Sequence, residues 1–584
     1  MKNSLPLYLL IFSLLMCYVI TLTSNAIGTE TDVFLSFLLP LSDCFLLSLM
    51  AYALSKVKLG WLVSVPVIVI LFAELFTVFF YHSNFTVYVI QLIFETNASE
   101  SSEFIRAALA HPGTWYAVAI TIVTALVAWG ITYKIQQRKN AQRSVCQKDV
   151  CGVRKFNVQR VSLAIAVILI AWSVVRQVSA YYKLYRCFSS ASTAVCNDTR
   201  YIPHLNTPFV RLAYGTAYNL ATSAELDELE STVAATTVDS CSFRCPLIVL
   251  VIGESYNKHH TPLYQDGYLP TTPHLMQQHE QGNLVVFTDA VAPFNFTSNA
   301  FKYMFTTWDE ESDDQWTHHT LFPAVFKKAG YCVDFYTNQF AMGQTDNWNL
   351  AGGTIFNRPR LSELQFTHRN PDVFEFDGQL LSQLPPVDTL TAQPTLLILH
   401  FIGQHVNYSN RYPTDFAKFT ADDEKTLFGG NTGRQTAAHY DNALLYNDHV
   451  LNTLFQYLRD KDAIAILLAD HGEEVYDWRD KYERTNERTI TPEIARYQYE
   501  IPLMFYMTPS FRQYHPDVAD AVKAAAHRPF ISSDLCHLLF YLGGIRHPDY
   551  RENRNILSPH YDMHRKRIIR SDVDYDSLNS NPKP

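Results

Sequence analysis

Apolar residues are distributed along this chain in two ways. Before about position 180 they form long, nearly unbroken runs; after about position 240 they form short runs separated by polar, helix-patterned stretches. Five of the long runs, at 5–27, 33–54, 61–81, 115–135 and 161–181, reach the roughly 20 residues a helix needs to cross a bilayer core. The short runs at 247–252, 284–290, 331–336, 395–402, 463–469 and 501–507 have the length and β-branched content of buried strands. Their alternation with helical patterns predicts an α/β domain with a mainly parallel sheet. The resulting division is a five-helix transmembrane domain at 1–182, a linker at 183–240, an α/β domain at 241–550 and a C-terminal tail at 551–584.

Charge gives the first part an orientation. Between the fourth and fifth runs stand Lys134, Arg138, Lys139, Arg143, Lys148, Arg154, Lys155 and Arg160 against the one acid Asp149, and Lys56 and Lys58 lie between the second and third. Basic loops stay in the cytoplasm, so five spans put the amino terminus inside and everything after Tyr182 outside. Ser24-Asn25-Ala26 could also serve as a signal-peptide cleavage site, which would leave the orientation of the other spans unchanged. Asp43 and Glu74 fall within predicted spans, where a carboxyl is either functional or hydrogen-bonded inside the bundle. The segment 84–111 is too polar to cross and is expected to lie as a helix on the outer surface. The formal net charge of −9, with no basic groove interleaved with aromatics, excludes nucleic acid as a partner.

Candidate chemistry clusters at strand ends, where open α/β sheets carry their sites. The run 247–252 ends in Gly253-Glu254, and 463–469 ends in Asp470-His471. A hard carboxylate and an imidazole delivered side by side suit zinc, and Glu254 is a third ligand or a helix-capping carboxylate. Thr297 precedes a helically spaced stretch through Ala300, Phe301, Met304 and Phe305; it reads as a cap, or as a nucleophile at a helix amino terminus activated by a metal. His400 falls inside a predicted strand as a core residue, whereas His405 follows the strand as a site candidate. Of the cysteines placed outside, Cys187 with Cys196 and Cys241 with Cys245 are close enough in sequence to suggest disulfides; zinc ligation by Cys241 and Cys245 lacks a second pair of ligands.

Taken together, GESYNKHHTPLYQDGYLPTTPHL, PFNFTSNA, HFIGQHVNYSNRYP, YNDHVLNTLF and ADHGEEVYD resemble the phosphoethanolamine transferases of Gram-negative envelopes, most of all those acting on the lipopolysaccharide core. The resemblance covers nearly the whole chain. It implies a bacterial inner-membrane protein of five spans whose periplasmic domain is alkaline-phosphatase-like or sulfatase-like. It further implies that Glu254, Thr297, Asp470 and His471 bind one Zn2+, with Thr297 as the catalytic nucleophile, and that His405 and Asn338 bind phosphate or a second metal. Glu95, Thr96, Asn97 and Glu100, in FETNASE, would border the lipid donor. Phosphatidylethanolamine is the implied donor, lipid A or lipopolysaccharide core the acceptor, and the protein a monomer. One departure is that 477–499 carries no histidine after the DHGE motif, which puts a second zinc site in doubt. The alternatives are a phosphoglycerol transferase of the same fold and a non-catalytic membrane sensor; a sulfatase activity is disfavoured because TSNAF lacks the Cys, Pro and Arg that chemistry uses.

Overall fold

The computed structural model describes residues 5–26, 39–81, 84–85, 89–90, 105, 108–145, 152–190, 196, 207–339, 353–485, 487 and 489–580. They form two compact units, 1–225 and 226–584.

The first unit is helical: α1 (Leu5–Ala26), α2 (Pro40–Ser55), α3 (Trp61–Tyr81), α4 (Pro112–Val145), α5 (Gly152–Ser190) and the start of α6 (Pro208–Ala234). Among the described residues, four helices are long and apolar enough to cross a membrane, in α1, α3, α4 and α5. The second of the five expected spans is described only in part: α2 is apolar and has 16 residues, and 33–38 lie outside the described residues. Most of the surface helix predicted at 84–111 lies outside them too, as do Glu95, Thr96, Asn97 and Glu100.

Both intramembrane acids are engaged. Asp43 accepts from Gln177 Nε2 at 3.1 Å, from Thr207 Oγ1 at 2.6 Å and from the Tyr181 hydroxyl. Glu74, fully buried, pairs with Arg211. A lone carboxylate in an apolar bundle would be expensive, and these partners offset that cost.

The second unit is built on a seven-stranded sheet. Its strands are β1 (Leu247–Gly253), β2 (Leu284–Phe287), β3 (Cys332–Thr337), β4 (His368–Arg369), β5 (Thr395–His400), β6 (Ala463–Ala469) and β7 (Leu503–Met507). They lie in the order β2-β7-β6-β1-β5-β3-β4. The pairs β4–β3, β3–β5, β5–β1 and β1–β6 are parallel, whereas β6–β7 and β7–β2 are antiparallel. The sheet is therefore mixed, with β7 reversed at one side. Ile248, Leu250 and Ile252 of β1 enter the core on one face, and Leu247, Val249 and Val251 that on the other. Burial on both faces explains why this central strand reads as a continuous apolar run.

The segment 551–580 packs into this unit. Arg565 pairs with Asp534 at 2.5 Å and Glu310 at 2.9 Å, and Arg567 with Asp289 at 2.5 Å. The expected disulfides are not formed. Cys187 and Cys196 are neighbouring thiols, while Cys241 Sγ faces the Gly543 carbonyl at 3.5 Å because its short strand pairs with 545–546.

Candidate metal centre and nucleophile

Register brings the site together. Gly253 of β1 pairs with Ala469 of β6, so the next residue on each strand, Glu254 and Asp470, emerges side by side. Cross-links keep the strand ends aligned: Asp470 N–H donates to Gly253 O at 3.1 Å, and Tyr256 N–H to His471 O at 3.1 Å. Ser255 takes a left-handed backbone, φ 57°, uncommon for a residue with a side chain. Tyr440, from the helix α8 (Gly430–Leu458), holds that turn by donating to Ser255 O at 2.7 Å and accepting from Asn257 N–H at 2.6 Å. The helix α7 (Thr297–Phe305), anchored by buried Ala300, Phe301, Met304 and Phe305, places Thr297 at its first turn.

Glu254, Asp470 and His471 are fully buried, and each offers a ligand atom within 4.8 Å of the others. His471 Nε2 lies 3.2 Å from both Glu254 Oε1 and Asp470 Oδ2. Its Nδ1 donates to Gly472 O at 2.8 Å, which leaves the Nε2 lone pair facing the two carboxylates. Thr297 Oγ1 donates to Glu254 Oε2 at 3.1 Å and lies 3.3 Å from His471 Nε2. Asp470 Oδ1 accepts from the His471 and Ser255 amides, but its buried Oδ2 has no hydrogen-bond donor. Lone pairs converging in a buried space favour a cation beside them. Two carboxylates, one imidazole and one hydroxyl make a donor set that fits zinc.

Charge is distributed accordingly. Burial opposes ionisation of Glu254, but His471 and Arg484 beside it hold its carboxyl well below the usual range. Burial, with the charge on Glu254, pushes Asp470 well above that range. Burial and Arg484 lower His471.

The other site residues fare differently. His405 lies close enough to Glu254 and His471 to feel their charge, and burial pushes its imidazole down to about 4. His400 is a core residue: it is fully buried, bonds Thr337 Oγ1 at 3.1 Å and packs edge-on against Phe301. Asn338, expected to bind phosphate or a second metal, is held by other partners. Its amide donates to Asp377 at 3.0 Å and its carbonyl accepts from Phe374 N–H at 2.6 Å. It is Gln339 that reaches the site, donating to Glu254 Oε2 at 3.3 Å and Phe401 O at 2.9 Å. The alternating pleat beyond β3 was the available signal, since neighbouring residues leave a strand end in opposite directions.

The sequence reading also missed Arg484. Its Nη1 lies 2.9 Å from His471 Nε2 and Ser255 Oγ and 3.1 Å from Glu254 Oε1. Burial opposes its charge, but Glu473, Glu254 and Asp470 raise its proton affinity further. The loop after the acid-rich HGEE carries Arg479, Arg484 and Arg488, and nothing in the sequence singles out Arg484 among them.

A mixed α/β sheet with carboxylates, an imidazole and a hydroxyl converging at its strand ends defines an alkaline-phosphatase-like or sulfatase-like domain. The chain belongs to the sulfatase family, whose model matches residues 246–545. Among curated proteins, phosphoethanolamine transferase EptC of Escherichia coli is 30% identical over 347 residues, 57% of each chain. A Kdo(2)-lipid A phosphoethanolamine 7''-transferase of Salmonella typhimurium is 29% identical over 272 residues, 45% of each chain. The alignments thus span about half the length of these relatives. Among solved structures, the periplasmic domain of E. coli EptC in complex with Zn is similar, with TM-score 0.50 and 27% identity over 59% of this chain and 96% of that one. The integral membrane protein EptA of Neisseria meningitidis shares the fold, with TM-score 0.61 and 19% identity over 95% of this chain and 98% of that one.

Proposed function

We propose that this chain is an inner-membrane, zinc-dependent phosphoethanolamine transferase with its catalytic domain in the periplasm. It moves the headgroup of phosphatidylethanolamine to lipid A or lipopolysaccharide core through a covalent intermediate on Thr297. The observation that carries this reading is the Thr297 hydroxyl, bonded at 3.1 Å to Glu254 Oε2 and facing His471 Nε2, at the amino terminus of α7. The names of the relatives, and the zinc in the similar E. coli domain, support the reaction class and the metal.

Glu254, Asp470, His471 and Thr297 would hold the ion, which when bound stabilises the alkoxide form of a ligating hydroxyl. Glu254 orients Oγ1, and the amino terminus of α7 favours the anion that gathers there. Thr297 Oγ1 bonds to phosphorus as the bond to the glycerol oxygen breaks, and diacylglycerol leaves with the proton. An acceptor oxygen then attacks the same phosphorus, and Thr297 is released. Arg484 supplies a fixed positive charge beside the reacting phosphoryl group, and His405 a neutral imidazole to hydrogen-bond it.

The test is in vitro transfer. The full chain in detergent, given phosphatidylethanolamine labelled in its headgroup and purified lipopolysaccharide, is expected to place label on the acceptor. Label transferred from headgroup-labelled phosphatidylglycerol but not from phosphatidylethanolamine would support phosphoglycerol transfer instead, and no transfer from either donor under zinc-replete conditions would support the non-catalytic sensor.

A further inference from the structure

At the far edge of the sheet, away from Thr297, three metal-ligating side chains share one face of two strands. Cys332 and Asp334 stand two residues apart on β3, and His368 of β4 is the direct cross-strand partner of Asp334. Period-two alternation and parallel register therefore put a thiol, a carboxylate and an imidazole together. Cys332 Sγ lies 3.3 Å from Asp334 Oδ1 and 3.8 Å from His368 Nδ1, and the last two atoms are 2.7 Å apart. All three lie within 4.8 Å of one another. Cys332 and Asp334 are buried, whereas the His368 side chain is 62% exposed and lines an open surface pocket with Asn357, Glu363 and Arg369.

We propose that Cys332, Asp334 and His368 form a second metal site that takes a thiophilic divalent cation such as zinc and clips the edge strand β4 to β3. A tetrahedral zinc at ~2.3 Å from sulfur and ~2.0 Å from nitrogen and oxygen separates its ligand atoms by roughly 3.3–3.6 Å. The two distances from sulfur already bracket that range. The imidazole–carboxylate pair must open by roughly half an ångström, which an exposed histidine accomplishes by rotation. Binding displaces the thiol proton to solvent, and the pocket beside His368 gives the ion its way in and leaves the fourth position to water. A strand of two residues has little sheet bonding of its own, so a three-ligand clip would govern its opening.

The site shares no residue with the Thr297 centre, so its test stands apart from the transferase reading. Cobalt(II) is the probe, because only a thiolate ligand gives a strong near-ultraviolet sulfur-to-cobalt charge-transfer band. The full chain loaded with cobalt is expected to show that band, to lose it in C332S and in H368A, and to keep it in D470N. H368A alters an exposed side chain and is expected to fold and to keep its transfer activity. No band at saturating cobalt, or a band that survives C332S or H368A, would overturn the proposal.

Discussion

In the proposed reaction Thr297, Glu254 and Arg484 carry the chemistry, and each has a distinct expected signature. T297S keeps a hydroxyl at the same place and is expected to retain measurable transfer, whereas T297A loses it. R484A removes a guanidinium bonded to both Glu254 and His471. Loss of such a preorganised charge costs about 10²- to 10³-fold in kcat, to be read from initial rates of headgroup transfer. R484A retaining full kcat would remove Arg484 from the reaction. Glu254, Asp470 and His471 were legible in the sequence because each ends or follows an apolar strand run. Arg484 was not, because a loop residue 13 positions beyond His471 has no periodicity to betray its direction. Asn338 and Gln339 differ in the side of the chain they leave, so the pleat turns Gln339 toward Glu254 and Asn338 toward Asp377.

At the level of elements, the turn between Gly253 and Asn257 and the one after β5 hold each other in place. Gly403, at φ +49°, passes so close that a Cβ would lie 3.0 Å from Glu254 N and O. G403A is expected to fold but to displace Glu254, lowering both zinc occupancy and turnover by at least about tenfold, a factor that corresponds to 1.4 kcal/mol. Metal analysis beside rate measurement checks both. A second link lies beyond the GESYNKHH motif, where Glu500 bonds Lys258 Nζ at 2.8 Å, His259 Nε2 at 3.1 Å and the Tyr575 hydroxyl at 2.8 Å. Although burial opposes its charge, His259 and Lys258 hold the Glu500 carboxyl down at about 2. A depressed pKa contributes stability that is present above the ordinary carboxyl value and lost as pH falls from about 4.5 through 2, here on the order of 3 kcal/mol. Thermal unfolding of wild type and E500Q across that window is expected to show a smaller acid-side loss in E500Q. Identical slopes would contradict the role given to Glu500. The strands themselves were legible because burial on both faces leaves long apolar runs, as at Ala463–Ala469. The edge strand β4 was not, being two polar residues, nor was the reversal of β7, since strand direction leaves no mark on periodicity.

For the whole molecule, the apolar runs announced a membrane part and an α/β part, while long-range partners stayed hidden. Arg211 pairs with Glu74 across 137 residues, and nothing in either neighbourhood reveals the other. Because that carboxylate is fully buried, R211A leaves its charge uncompensated and is expected to destabilise the full chain by about 3–5 kcal/mol. Unfolding in detergent checks this, and an E74A/R211A double variant should recover part of the loss; a neutral R211A would contradict a structural ion pair. Chelation is expected to abolish transfer, and added zinc to restore it. The most direct measurement is the mass of the full chain after incubation with phosphatidylethanolamine alone, with no acceptor present. The expected result is a phosphoethanolamine adduct that maps to the peptide containing Thr297, is absent from T297A, and disappears when lipopolysaccharide is added. A wild-type protein that turns over substrate without ever carrying the adduct, or a T297A protein that still carries it, would contradict the account.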